Sequence, residues 1–321
     1  MEKAITTAEL VGVSGSILAI RAYIHKIAET PCNILITGES GTGKELVARL
    51  VHRLSPRREK PFVCINCAAI PDTLLESELF GFERGAFTGA YTRREGRLKA
   101  ANGGTVLFDE IGDLSPYAQA KLLRAIEDKE VQPLGGEETT RLDIRVVAAT
   151  HQSLEELVAA GRFRQDLYFR LKVARIHLPP LRERKQDLPT LVEHLLNRLD
   201  QQYEKRVVSV SGAVLEAFLR YHWPGNIREL RNLCEVALVH ATGARLEWQD
   251  LPEEFRKAVG ATPEEPLEEK DRLLAALLST NWNKSKAAQR LNWSRWTLYR
   301  KMQKHHIQTP TSLSSAPPHK D

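Results

Sequence analysis

The sequence predicts an α/β chain with three parts: a mostly parallel sheet covered by helices, a helical segment behind it, and a small all-helical domain at the C-terminal end. Three observations carry this. Short β-branched or apolar runs alternate with helical patterns as far as about residue 245, the rhythm of strand–helix–strand units. Strand signals fade after Leu178, where helical periodicity takes over. Positive charge collects at the end: the chain of 321 residues has a net charge of +5, yet Arg272 to Lys320 holds nine Lys or Arg and no Asp or Glu. A basic block behind a slightly acidic body points to a small nucleic-acid-binding unit on a larger domain.

The strands expected are Asn33–Thr37, Phe62–Asn66, Thr105–Asp109 and Ile144–Ala149, with helices at Lys44–Leu54, Pro116–Glu127 and Leu154–Ala160 between them. Helices are expected next at Asp187–Tyr203, Ser211–Tyr221 and Ile227–Ala241. Segment 246–269 carries Pro252, Pro263, Pro266 and many acids, and reads as a linker. Three short helices follow, at Arg272–Thr280, Ser285–Leu291 and Arg295–His305. The Pro/Ser/Thr-rich end, 308–321, reads as a disordered tail.

Composition narrows the class. The chain is 42% hydrophobic and 27% charged, enough for a core and too rich in apolar residues for a disordered chain. No apolar run approaches the ~18 residues of a membrane span. Met1–Leu10 lacks the basic and apolar regions of a secretory signal, so a cytoplasmic location is expected. Four cysteines do not make a disulfide scaffold. Cys64 and Cys67 have zinc-ligand spacing, but no second pair accompanies them, since the others are Cys32 and Cys234.

Gly38, Glu39, Ser40, Gly41, Thr42, Gly43, Lys44 and Glu45 follow a strand and open a helix, the context that a phosphate-binding loop needs. Its glycines let backbone N–H groups wrap phosphates, the helix N-terminus adds a positive dipole end, and Lys44 reaches the outer phosphates. Glu45 stands where the magnesium-binding hydroxyl of the general pattern would be, so other groups must hold the metal. Downstream, Val106, Leu107 and Phe108 form an apolar strand ending in Asp109 and Glu110. Asp109 suits Mg²⁺, and Glu110 suits polarising an attacking water. Asn66, at the end of the intervening strand, is placed to hydrogen-bond Glu110.

Gly85, Ala86, Phe87, Thr88, Gly89 and Ala90 spell GAFTGA. With GESGTGKE, GGTVLFDE (Gly103, Gly104 and Thr105 through Glu110), FRQDLYFRL (Phe163–Leu171), LPPLRER (Leu178–Arg184) and WPGNIRELRN (Trp223–Asn232), the chain resembles the AAA+ domain of bacterial sigma-54-dependent transcription activators. The resemblance covers about Leu10 to Leu246. It implies an AAA+ P-loop ATPase with a helical lid. It further implies that Gly38–Glu45 bind ATP with Mg²⁺ on Asp109, that Glu110 activates water with Asn66 as its switch partner, and that Ala101 and Asn102 lead into the site. Thr150 and its neighbour His151 fall where the family reads the γ-phosphate; many relatives have Asn at His151. Arg164 and Arg170 match arginines that reach a neighbouring subunit's ATP, and Arg228 matches the lid arginine. The GAFTGA loop is implied to touch sigma-54. Pro133 stands where relatives often carry Arg.

The basic end reads as a helix-turn-helix and resembles the Fis-type module of these activators. Ala287, Ala288, Leu291, Leu298 and Met302 fall at packing spacing, Asn292 suits the turn, and Ser294 suits an N-cap. Arg295, Trp296, Thr297, Tyr299 and Arg300 would face the major groove, with Lys284, Lys286, Lys301 and Lys304 on phosphates. Leu273, Leu274, Leu277 and Leu278 make an apolar stripe suited to pairing two subunits.

The division expected is 10–178 for the ATPase core, 179–245 for its lid subdomain and 270–307 for the helix-turn-helix domain. Function follows as an activator that binds upstream promoter DNA, assembles as a homo-oligomer from dimer to hexameric ring, and remodels the sigma-54 RNA polymerase holoenzyme from closed to open complex. Two alternatives stay open: an AAA+ ATPase that remodels DNA directly, and an ATP-binding repressor. The motifs begin almost at once, leaving no room for an N-terminal regulatory domain. Regulation is then by a separate inhibitory protein or by protein level, unless the chain is a fragment.

Overall fold

The computed structural model describes residues 10–203, 209–260, 269–280, 282–305 and 307. The expected tail 308–321 lies outside them. In chain order come helix α1 (Gly15–Ala28), strand β1 (Ile34–Thr37), helix α2 (Lys44–Arg53), strand β2 (Phe62–Asn66) and helix α3 (Asp72–Phe80). A short hairpin pairs β3 (Gly81–Phe82) with β4 (Arg94–Glu95); α4 (Arg97–Ala100), β5 (Thr105–Asp109) and α5 (Pro116–Glu127) follow. A second hairpin, β6 (Glu130–Val131) with β7 (Thr140–Arg141), leads to β8 (Arg145–Thr150), α6 (Leu154–Ala159), α7 (Gln165–Leu171) and β9 (Ala174–His177).

The main sheet is parallel, ordered β2-β5-β8-β1-β9. Strands β1 and β8 are buried along their whole length, as parallel strands covered on both faces must be. Strand β9 was not among the expected four. It is an edge strand that alternates buried Ala174 and Ile176 with exposed Arg175 and His177, so it shows no apolar run. Arg145 opens β8 and is 2% exposed. Its guanidinium donates to the carbonyls of Ile27 (2.6 Å) and Ala28 (2.8 Å), which the end of α1 leaves without helical partners.

Contacts divide the chain into two compact units, Leu10 with Ala19–Pro180, and Val11–Leu18 with the chain from Leu181 onward. The second contains α8 (Leu188–Tyr203), β10 (Ser209–Val210), α9 (Gly212–Arg220), α10 (Asn226–His240), β11 (Arg245–Leu246), α11 (Glu253–Val259), α12 (Glu269–Ser279), α13 (Lys284–Arg290) and α14 (Arg295–Lys304). Buried Asp187 ties the Val11–Leu18 segment to this unit, accepting the N–H groups of Val13 and Ser14 (both 2.6 Å) and the Ser14 hydroxyl (2.8 Å).

Two expectations are corrected here. The segment expected to link domains, 246–269, is folded over its described part: it carries β11 and α11, and Leu246, Leu251 and Phe255 are buried. Phe255 packs on Phe218, Tyr221 and Trp223, so these aromatics hold the segment against α9. Residues 261–268 lie outside the described residues. The apolar stripe of α12 is not free to pair subunits either. Leu273, Leu274 and Leu277 are buried in one core with α9, α13 and α14. Lys185 closes the same junction with an ion pair to Asp271 (2.8 Å).

Candidate functional site

The loop between β1 and α2 builds the first site. Gly38, Gly41 and Gly43 all have positive φ (151°, 78° and 104°), a backbone path that favours glycine. A Cβ on Gly38 would come within 2.7 Å of the Leu178 carbonyl oxygen. Gly43 is the N-cap of α2 and has no side chain to satisfy the first helical N–H groups, which leaves them facing the loop for an anion. Lys44 is buried and donates to the carbonyls of Gly38 (3.0 Å) and Glu39 (3.4 Å). Thr42 braces the loop by donating to the Glu39 carbonyl (2.8 Å). Glu45 turns outward to an ion pair with Arg49 (2.7 Å).

Parallel registration puts the other groups beside this loop. Thr37, at the end of β1, aligns with Thr150 at the end of β8, and Asp109 of β5 aligns with Ala149. Glu110 leaves β5 in the left-handed conformation (φ 54°), which turns its carboxylate into the site. One oxygen of Glu110 lies 3.4 Å from the Lys44 ammonium, and the other accepts from the His151 N–H (3.1 Å) and contacts its ring Nδ1 (2.7 Å). Burial opposes ionisation of Glu110, but the His151 hydrogen bonds and the Lys44 charge outweigh it, and its carboxyl titrates below the ordinary value. Asp109 goes the other way: burial and then the Glu110 charge hold its carboxyl above the ordinary value. Lys44 and a backbone N–H offset this only in part, which leaves the carboxylate suited to a cation. Among the described residues no three side chains of metal-ligand type cluster, so a Mg²⁺ ion at Asp109 would draw its other ligands from phosphates and water.

Asn66 and the segment Ala101–Thr105 are placed differently from what the sequence implied. Asn66 does not reach Glu110; its Oδ1 accepts the N–H groups of Ala68 and Ala69 (both 3.0 Å), closing the turn after β2. Ala101, Asn102, Gly103, Gly104 and Thr105 sit at the opposite end of β5 from Asp109. Four strand steps at ~3.3 Å each separate Thr105 from Asp109 by about 13 Å. Here Asn102 caps the Asp143 N–H (2.7 Å), Thr105 bonds His52 (2.9 Å), and a Cβ on Gly104 would meet the Pro61 carbonyl at 2.0 Å. These residues shape the turn into β5, and Val106, Leu107 and Phe108 belong to the core.

Arg164 is the exposed N-cap of α7, paired with Asp166 (2.7 Å), and Arg170 is exposed near the same helix's end. Arg228 is exposed in the first turn of α10, in the second unit. A group absent from the sequence reading also stands here. Gln119 of α5 is 1% exposed and accepts the Arg164 N–H (2.8 Å). Its one signal in the sequence is a polar residue on the face of α5 that otherwise buries Ala118, Leu122, Leu123 and Ile126.

Gly85–Ala90 tip the β3–β4 hairpin. Gly85, Phe87, Thr88 and Gly89 are exposed, Ala90 is buried, and Gly85 donates to the Ala90 carbonyl (2.9 Å). Phe87 rests edge-on against Phe82 with centroids 4.9 Å apart. The loop after β6 is stitched to this hairpin: Leu134 donates to Gly81 and accepts from Glu83 (both 2.9 Å), and a Cβ on Gly135 would strike Ala86. Pro133 precedes that stitch and interrupts none of its hydrogen bonds.

In the second unit, Ser294 caps α14 through the Thr297 N–H (3.0 Å), and Asn292 adopts the left-handed turn (φ 54°). Trp296 (68% exposed) and Tyr299 (45%) stand out, with Arg300 over Trp296 and Lys284 over Tyr299. Lys286 and Arg295 are exposed as expected. Lys301 differs. It turns inward to Glu269 and lies over Trp293, so its charge is engaged within the domain.

A family model described as the sigma-54 interaction domain matches residues 10–177. The chain belongs to the sigma-54 activator family. An AAA+ ATPase lid model matches 182–267, taking in most of the segment expected as a linker, and a model of bacterial regulatory proteins of the Fis family matches 266–305. Relatives of this activator include the transcriptional regulatory protein ZraR of Klebsiella oxytoca, 47% identical over 92% of this chain and 70% of its own. The Nif-specific regulatory protein of Azotobacter vinelandii is 42% identical over 88% of this chain and 56% of its own. Among solved structures, NtrX from Brucella abortus in complex with ADP superposes with a TM-score of 0.75 at 31% identity, covering 92% of this chain and 70% of that one. No helix among the described residues is long and apolar enough to cross a membrane.

Proposed function

We propose that this activator binds upstream promoter DNA through α13–α14 and hydrolyses ATP in a homo-oligomeric ring, driving its Gly85–Ala90 loop against sigma-54 to open the promoter. Lys44 and the loop N–H groups take the phosphates, Asp109 takes Mg²⁺ with the nucleotide, and Glu110 orients and deprotonates the attacking water. Bound Mg²⁺ supplies charge neutralisation on the phosphates. Thr150 faces the γ-phosphate from the end of β8. Arg164 and Arg170 reach the ATP of the next subunit, where a guanidinium fork offsets charge on the transferring phosphoryl group. Arg228 serves the nucleotide from the lid. Occurrence of NtrX with ADP and with ATP supports the choice of nucleotide.

One observation carries this reading. The unit that brings Lys44, Asp109 and Glu110 together also bears an exposed glycine-flanked hairpin tip with Phe87 and Thr88. Neither alternative weighed from the sequence, direct DNA remodelling or repression, uses such a tip. The test is transcription in vitro from a sigma-54 promoter with purified activator, holoenzyme and ATP. ATP-dependent transcript is expected; transcript only from a promoter read by another sigma factor would overturn the proposal.

A further inference from the structure

Gln119 makes use of every hydrogen-bonding position of its amide except one acceptor lone pair. Its Nε2 donates to the carbonyls of Leu114 (2.8 Å) and Arg162 (3.0 Å), and its Oε1 accepts from the Arg164 N–H (2.8 Å). Two carbonyls and one N–H fix which end of the amide is nitrogen, so the side chain has one orientation. It is 1% exposed.

The three partners lie on two functional segments. Leu114 closes the short helical turn Ile111–Asp113 that follows Glu110. Arg162 and Arg164 frame the start of α7, and Arg164 is its N-cap in extended conformation (φ −72°, ψ 132°) without a side-chain cap of its own. The Arg164 guanidinium is half exposed and, among the described residues, is tied to neighbouring Asp166. What fixes its Cα is therefore backbone, and Gln119 holds that backbone from α5.

We infer that Gln119 is a positioning residue for the arginine that acts on the neighbouring subunit's ATP: it sets where Arg164 leaves the fold, and through Leu114 it ties that exit to the segment behind Glu110. The inference rests on the reading that Arg164 works across the subunit interface. Its chemistry is a geometric one. A guanidinium displaced by about 1 Å loses its alignment with the phosphoryl group while the ATP site of its own subunit stays whole.

Gln119→Glu keeps the volume and the acceptor but puts carboxylate oxygens against two carbonyls. It should lower kcat about tenfold or more with the ATP KM within about twofold. Mixing decides where the defect acts. Lys44→Ala subunits cannot use ATP but carry an intact Arg162–Arg164 segment. Added to Gln119→Glu subunits, they should raise turnover several-fold above the sum of the two preparations. No rise would place Gln119's effect within its own subunit and overturn the inference. Arg164→Ala mixed with Lys44→Ala is run alongside. Absence of a rise there places the failure in the Arg164 assignment itself and takes the inference down with it. If Gln119→Glu does not fold, Gln119→Met, which removes all three bonds at similar volume, takes its place. Failure of both variants to fold would make Gln119 a purely structural residue and refute the proposal.

Discussion

Glu110→Gln separates nucleotide binding from hydrolysis. Glutamine keeps the volume and keeps an oxygen that accepts from the His151 N–H, which now lies 3.1 Å from the carboxylate. What it removes is the negative charge that draws a proton from water. A positioned general base is worth about 10²–10⁴ in rate, or about 3–5 kcal/mol of barrier at ~1.4 kcal/mol per tenfold. The same charge stands 3.4 Å from the Lys44 ammonium and competes with a phosphate for it. The variant should therefore lose at least about a hundredfold in kcat while its ATP dissociation constant stays equal or falls. Steady-state phosphate release at saturating ATP gives the first quantity, and calorimetric titration of nucleotide gives the second. A kcat within about threefold of the parent would remove Glu110 from the role of base.

Thr88→Ala should keep ATPase activity and ring assembly but fail to retain sigma-54 in a pull-down with a transition-state analogue; a joint loss of all three would make the loop structural. Arg300→Ala, which strips the cation from Trp296, should weaken specific operator binding by about 1–3 kcal/mol and leave ATPase unchanged, read by footprinting and turnover on one preparation. Leu277→Ala empties a fully buried position shared by α12 and its neighbours. It should cost about 2–5 kcal/mol in denaturant unfolding. An effect confined to dimerisation, with unfolding unchanged, would return the leucine stripe to a subunit interface. The Glu269 carboxyl is pulled down to about 2, first by its hydrogen bond from Lys301 and then by His305. A depressed folded pKa contributes stability that is complete above the unfolded value of ~4.3 and lost as pH falls toward 2. Glu269→Gln should flatten that acid-side loss in urea midpoints measured across the window, and an unchanged slope would refute the pairing.

The phosphate loop, the Asp109–Glu110 pair and the helix-turn-helix were legible because each is local: a turn, a strand end, a capped helix. The Glu110–His151 contact was not, since it depends on β8 lying beside β5, and strand order is written nowhere in a local pattern. Contiguity misled at Ala101–Thr105. A single motif runs into Asp109, but an extended strand carries its two termini to opposite ends of the sheet's strands. Periodicity identified the buried face of α12 but not its partner, which is the core shared with α9 rather than a second subunit. Prolines and acids made 246–269 look like a linker, while Leu246, Leu251 and Phe255 were the signal of a packed segment.

Whether hydrolysis at the Lys44–Glu110 site is spent on opening a sigma-54 promoter is decided by following permanganate reactivity of the promoter and phosphate release in one sample of activator, sigma-54 holoenzyme and DNA. Strand opening should appear with ATP, in step with phosphate release, and be absent with Glu110→Gln or a non-hydrolysable analogue. Opening at the parental rate without hydrolysis would contradict this.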